Sequence, residues 1–174
     1  MAIWEIYWNL KNFTQNYTKA LTIYLNLFGE NNSNVAASYY NLGALYGNLG
    51  NLVKAEEFQT KALTIRLNLF GENHSYVADS YHNLGVLYKD LGNLGNAEEF
   101  HTKALTIRLN LFGENHSDVT NSYHNLGALY RDLGNLGKGE EFYAKALRIR
   151  LNLFGENHSN VADSYNNVGT LFII

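Results

Sequence analysis

Residues 76–117 read YVADSYHNLGVLYKDLGNLGNAEEFHTKALTIRLNLFGENHS, and this stretch decides the fold because the chain repeats it. Residues 118–159 match it at 32 of 42 positions. Phe-Gly-Glu-Asn stands at Phe28, Phe70, Phe112 and Phe154, each 42 residues after the last. Asn-Leu-Gly stands at Asn41, Asn83 and Asn125 and becomes Asn-Val-Gly at Asn167. No insertion breaks the register, so the expected organisation is one array over 1–174. It divides into a partial repeat over 1–33, full repeats over 34–75, 76–117 and 118–159, and a partial repeat over 160–174. A fixed period of this size means supersecondary units that bury their apolar faces by stacking on neighbours.

Each unit predicts two helices. In the first helix of the 76–117 unit, Val77, Tyr81, Leu84, Tyr88 and Leu91 step by four and three residues, one apolar face of a helix. Ser75 is the expected N-cap and Gly92 the stop; Asn93 then caps the second helix. That helix carries Ala97, Phe100, Ala104, Ile107 and Leu111 as one stripe and Leu105, Leu109 and Phe112 as another, enough for two packing partners. Gly113 is expected to end it in a left-handed cap. Glu57–Lys61, Glu99–Lys103 and Glu141–Lys145 fall in the favourable i,i+4 order on the outer face. Gly43, Gly85, Gly127 and Gly169 recur inside the first helices, where glycine costs about 1 kcal/mol against alanine. Four such costs in register predict close helix–helix approach, with Ala62, Ala104 and Ala146 as the expected partners.

At these residues the sequence resembles the tetratricopeptide repeat. Tyr81-x-x-Leu84-Gly85-x-x-Tyr88 matches that family's aromatic-x-x-Leu-Gly-x-x-Tyr core, and Ala97 and Ala104 match its small packing positions. The 42-residue period, with Ala-Leu-Thr-Ile-Arg followed by Leu-Phe-Gly-Glu-Asn-His-Ser, is similar to the kinesin light chain subtype. There the second helix is longer by two turns, about 12 Å at 1.5 Å per residue. The resemblance implies an all-α fold, a right-handed superhelical solenoid of antiparallel helix pairs. Three features depart from the family pattern. Ser75, Ser117 and Ser159 replace the usual inter-repeat proline. The second-helix aromatics Phe58, Phe100 and Phe142 fall three residues after the small position rather than four. Gly139 stands in place of alanine and, with Gly137, is expected to weaken the start of its helix.

The resemblance further implies a concave face lined by the first helices, and with it a function as a protein-interaction scaffold. Its groove residues would be Tyr40, Ala44 and Asn48 in the first full repeat. Asp79, His82, Val86, Lys89 and Asp90 follow in the second, and Asn121, His124, Ala128, Arg131 and Asp132 in the third. Asp163, Asn166 and Thr170 continue the face. Asn41, Asn83, Asn125 and Asn167 form a ladder at the repeat spacing. Because an amide side chain both donates and accepts, such a ladder suits the backbone of an extended peptide. Two plainer readings stand beside it: each asparagine bonds a neighbouring helix, or the ladder is a relic of duplication with no evolved ligand.

Composition narrows the rest. Net charge is −3 with a pI near 6.0, which gives no electrostatic basis for binding nucleic acid or an anionic membrane. There is no cysteine, which excludes disulfides and thiolate metal sites. The N-terminal residues lack a basic region followed by an apolar core, so a cytoplasmic protein is expected. The repeated histidines His74, His116 and His158, and the pair His82 and His124, lie about one helix spacing of ~10 Å apart. That is too far to share one ion, so no metal is expected. Gly-Asn-Leu-Gly lacks the Lys-Ser/Thr of a phosphate loop, and Glu98-Glu99 and its copies read as solvated carboxylates; no enzyme activity or cofactor is expected. Finally, residues 1–28 align with a second helix and residues 160–174 with a first helix. Apolar residues there (Ile3, Trp4 and Trp8; Leu171, Phe172, Ile173 and Ile174) suggest self-association, head to tail, as an alternative to peptide binding.

Overall fold

The computed structural model describes residues 2–171, with side chains from residue 12 onward. Ile3, Trp4 and Trp8 therefore lie outside the described side chains, and Phe172, Ile173 and Ile174 outside the described residues. Within these bounds the chain is all-helical: α1 (Ala2–Phe28), α2 (Ser33–Asn48), α3 (Leu52–Phe70), α4 (Ser75–Asp90), α5 (Leu94–Phe112), α6 (Ser117–Asp132), α7 (Leu136–Phe154) and α8 (Ser159–Thr170). First helices are α2, α4, α6 and α8. The second helices α3, α5 and α7 are each 19 residues long.

The helix boundaries follow from a small set of repeated residues. Asn51, Asn93 and Asn135 cap the second helices, each Oδ1 accepting a backbone N–H three residues on at 3.2 Å. The first helices are capped one residue earlier than the serine expectation. His74, His116 and His158 are the N-caps, their Nδ1 atoms accepting from the amides of Tyr76, Asp118 and Asn160 at 3.1–3.2 Å. Asn32 does the same for α2 through Oδ1, at 2.8 Å. Ser75, Ser117 and Ser159 are instead the first helical residues. Each capping imidazole also stacks on the phenylalanine four residues before it, with ring centroids 4.3–4.4 Å apart. The recurring Phe-Gly-Glu-Asn-His is thus one structural device.

Gly113 ends α5 with φ 72° and ψ 177°. This is not the left-handed helical cap expected, but a mirror-extended conformation that only glycine enters at low cost.

Two compact units divide the chain, Met1–Leu87 and Tyr88–Ile174. In the first, Leu21 of α1, Val35, Ala36 and Leu42 of α2 and Ile65 of α3 form the core. The Phe58 ring stacks between Tyr39 and Tyr46. In the second, Leu105, Val119, Tyr123, Leu126, Tyr130, Ala146 and Ile149 bring α5, α6 and α7 together. Full burial of each large aliphatic side chain stabilises by about 1.5–3 kcal/mol. Leu91 and Leu111, assigned above to apolar stripes, are exposed at their edges. Leu171 is 2% exposed, so it belongs to the core of its own unit rather than to a free apolar end.

The mid-helix glycines do mark close approach, but not to alanine. A methyl on Gly43 would meet Gln59 Cγ at 2.7 Å, and one on Gly127 would meet the Tyr143 ring at 2.7 Å. The partner is the residue three before Ala62 and Ala146. Gly169 has open space around it. At Gly139 a methyl would lie 3.2 Å from Leu171 Cδ2 and 3.3 Å from Gly127 O, so the alanine-to-glycine change relieves crowding there.

Candidate functional site

Three arginines set the framework on which the first helices stand. Arg66, Arg108 and Arg150 occupy one position of α3, α5 and α7, and each reaches the first helix that follows. Arg66 Nη1 donates to Ser80 Oγ at 2.8 Å and to Tyr76 O at 2.9 Å. Arg108 Nη1 donates to Ser122 Oγ at 2.9 Å. Arg150 Nη1 donates to Ser164 Oγ at 2.8 Å and Asn160 O at 3.0 Å. Arg66 and Arg108 are buried. The Arg66 guanidinium also lies 4.3 Å from the Tyr40 ring centroid, so one side chain ties α3 to both α2 and α4. These residues were absent from the expectations above. The signal was there: an arginine inside an apolar stripe at the repeat spacing, always 14 residues before a serine.

In the first unit the candidate face comprises Tyr40 and Asn41 on α2 and Asp79, His82 and Asn83 on α4. Asn41 is exposed and Asn83 half-buried, and neither makes a side-chain hydrogen bond among the described residues. Tyr40 is half-buried, its ring against Arg66 and its carbonyl accepting from Gln59 Nε2 at 3.2 Å.

In the second unit the face is more internally paired. Lys89 Nζ lies 2.9 Å from Asp132 Oδ2, and Arg131 Nη2 lies 3.1 Å from Asp132 Oδ1. These two cations therefore share one carboxylate, and against its partial burial they hold Asp132 below the ordinary carboxylate range. Asn167 Nδ2 lies 3.2 Å from His124 Nδ1. An amide nitrogen only donates, so this contact requires a neutral imidazole with Nδ1 as acceptor. Burial, chiefly, and then the charges of Arg150, Arg131 and Lys89 lower the His124 pKa, with Asp163 opposing. The Tyr143 ring underlies Gly127 and sits 5.5 Å from the His124 ring. Asn125 is half-buried, and Asn121 and Asn166 are exposed. At Asn167 the ladder makes a bond within the protein, the plainer of the readings offered above.

The full repeats differ among themselves in a patterned way. The segment from Arg66 to Ser75 is identical in its copies at 108–117 and 150–159. The first helices, by contrast, change at Ala37/Asp79/Asn121, Tyr40/His82/His124, Ala44/Val86/Ala128, Gly47/Lys89/Arg131 and Asn48/Asp90/Asp132. These positions step by three, four, three and one residues, which places them on one helix face. Asn41, Asn83, Asn125 and Asn167 stay constant in the middle of that face. Beneath it Gln59, His101 and Tyr143 also vary.

The helix-pair geometry and the repeated Tyr-x-x-Leu-Gly-x-x-Tyr core define a helical-repeat scaffold. The chain belongs to the tetratricopeptide repeat family, whose model matches residues 14–68, 34–110, 76–138 and 118–173. Proteins of this family are in general scaffolds for protein–protein interaction. The chain is similar to the crystal structure of BtubC (BKLC) from P. vanneervenii, with a TM-score of 0.86 and 27% identity. That match covers 95% of this chain and 66% of the other, so the chain spans about two thirds of that relative's length. A second similar structure is a putative kinesin light chain from Podosopora anserina with nearly identical TPR-like repeats. Its TM-score is 0.81 at 17% identity, covering 94% of this chain and 78% of that one; it speaks to the fold alone. No curated protein matches the chain in sequence. No helix among the described residues is long and apolar enough to cross a membrane.

Proposed function

We propose that the first-helix faces hold an extended peptide segment of a partner protein, and that the chain acts as a cytoplasmic interaction scaffold with no catalytic role. One observation carries the reading: a constant asparagine surrounded by positions that differ from repeat to repeat. A peptide backbone is chemically the same at every residue, so the group that grips it can be the same in every repeat. Side chains along a natural peptide differ, so the groups that read them must differ too. The asparagine amide supplies one donor and one acceptor, the complement of a peptide unit. An extended peptide rises ~3.3 Å per residue, so first helices ~10 Å apart within one unit would present their asparagines about three residues apart.

The ligand chemistry follows from the pairing. With Lys89 and Arg131 both held by Asp132, the exposed groups of the second unit include the neutral amides Asn121 and Asn166, which favour an uncharged polar segment over a strongly acidic one. The test is a peptide-display selection against the wild-type chain, repeated on the Asn83→Ala, Asn125→Ala double variant. Enrichment of a peptide that the double variant no longer captures, with its unfolding midpoint nearly unchanged, is the expected result. Equal capture by both proteins would overturn the reading.

A further inference from the structure

One buried position of the second helices does not behave like the others. Ala62, Ile65 and Arg66 recur unchanged in all three full repeats, and Ala55 changes only to glycine, at Gly139. Gln59, His101 and Tyr143 occupy one equivalent position and are an amide, an imidazole and a phenol, each 2% exposed. A position that only fills space has no reason to change between repeats whose cores are otherwise alike. This one varies as the exposed first-helix face does.

The geometry ties it to that face. In the first unit Gln59 lies against Gly43, its Cγ 2.7 Å from where a methyl would stand, and its Nε2 donates to Tyr40 O at 3.2 Å. In the second unit the Tyr143 ring lies against Gly127 at the same distance and 5.5 Å from the His124 ring. Asn167 Nδ2 in turn lies 3.2 Å from His124 Nδ1. In each unit the buried side chain thus bears on the face residue three before the glycine, Tyr40 or His124, which itself differs between repeats. Stability does not account for the choice of residue. Gln59 Oε1 is buried with no hydrogen-bond partner among the described residues, and an unmet buried acceptor is destabilising.

We propose that Gln59 and Tyr143 are positioning residues that set, from beneath the face, which peptide side chain each unit accepts. Tyr143 fixes the His124 ring and through it the Asn167 amide; Gln59 fixes the α2 backbone at Tyr40. The inference rests on the reading that the first-helix faces hold a peptide. Peptide-display selections on the wild-type chain and on Tyr143→Gln, Tyr143→Phe and Gln59→Met test it. Tyr143→Gln should change the residues enriched at one peptide position, and Tyr143→Phe, which keeps the ring, should restore the wild-type motif. Gln59→Met, matched in size, should change the motif at another position with an unfolding midpoint no lower than wild type. It decides the matter alone if Tyr143→Gln does not fold. Without peptide, the ring 15N shifts of His124 should report the Nε2–H tautomer in wild type and Tyr143→Phe, and a mixture in Tyr143→Gln. Folded Tyr143→Gln and Gln59→Met chains that select the wild-type motif would overturn the proposal and leave the peptide reading standing. A wild-type chain that enriches no peptide would remove both.

Discussion

Replacing Arg66 with methionine measures what a buried guanidinium contributes to holding successive first helices in place. Arg66 is 7% exposed, and its partners are Tyr76 O, Ser80 Oγ and the Tyr40 ring rather than a carboxylate. Burial lowers its pKa, which marks the desolvation cost, while Tyr40 and Asp79 act in the opposite direction. Each hydrogen bond from a charged donor contributes about 1.5–3 kcal/mol, and a desolvated ring contact about 2. Against these stands a burial penalty of roughly several kcal/mol for the ion. The balance predicts a loss of about 2 kcal/mol for Arg66→Met, which keeps most of the stem. Arg66→Ala removes about two more methylenes, at about 0.8 kcal/mol each, and leaves a void, for a loss of about 4. Ser80→Ala should cost about 1 kcal/mol, and the double variant less than the sum, with a coupling of about 1 kcal/mol. Urea unfolding followed by circular dichroism, compared at equal slope and protein concentration, reads all of these. An Arg66→Met protein as stable as wild type, or strict additivity with Ser80→Ala, would refute the clamp and leave burial cost as the larger effect.

Three further outcomes are checked by the same unfolding measurement. His116→Ala should lose about 1 kcal/mol with the cap of α6, whereas His116→Asn should lose much less, because Asn32 already caps α2 from the same position. Gly127→Ala drives a methyl into the buried Tyr143 ring and should destabilise by about 1–3 kcal/mol, while Gly137→Ala, with nothing within 4 Å, should stabilise by up to about 1. His124 has a lowered pKa when folded, so its contribution is fully present above the ordinary imidazole value of about 6.5 and is lost as pH falls through the folded value. The stability difference between wild type and His124→Asn should accordingly shrink as pH falls from about 6.5 towards the folded value, and level off below it.

The sequence announced the periodic features and hid the individual ones. Repeats, helix pairs, the Asn93 cap and the Glu–Lys pairs were readable because each depends on spacing alone. The three ion pairs close at 2.6–2.7 Å. The histidine caps were missed because serine is the commoner cap and stands one residue away; only backbone geometry shows which of the two faces the free amides. The arginine clamps were missed because an arginine among apolar residues reads as a side chain reaching for solvent, and its serine partner belongs to the next repeat. Gln59 and Tyr143, rather than the alanines three residues on, fill the space over Gly43 and Gly127, a contact between two helices that spacing alone does not specify. For the candidate face, the sequence supplied the asparagine ladder and its varying surroundings. It did not show that Lys89 of α4 pairs with Asp132 of α6, or that Asn167 of α8 is engaged by His124 of α6, since both contacts join different helices.

Side-chain amide NMR of the asparagines tests the central claim most directly. On titrating a display-selected peptide into the 15N-labelled chain, the NH2 resonances of Asn41, Asn83 and Asn125 should shift together with saturation, and the first-helix backbone amides beside them should follow. Saturable binding that leaves those resonances unmoved, and shifts instead the outer faces of α3, α5 and α7, would contradict the account.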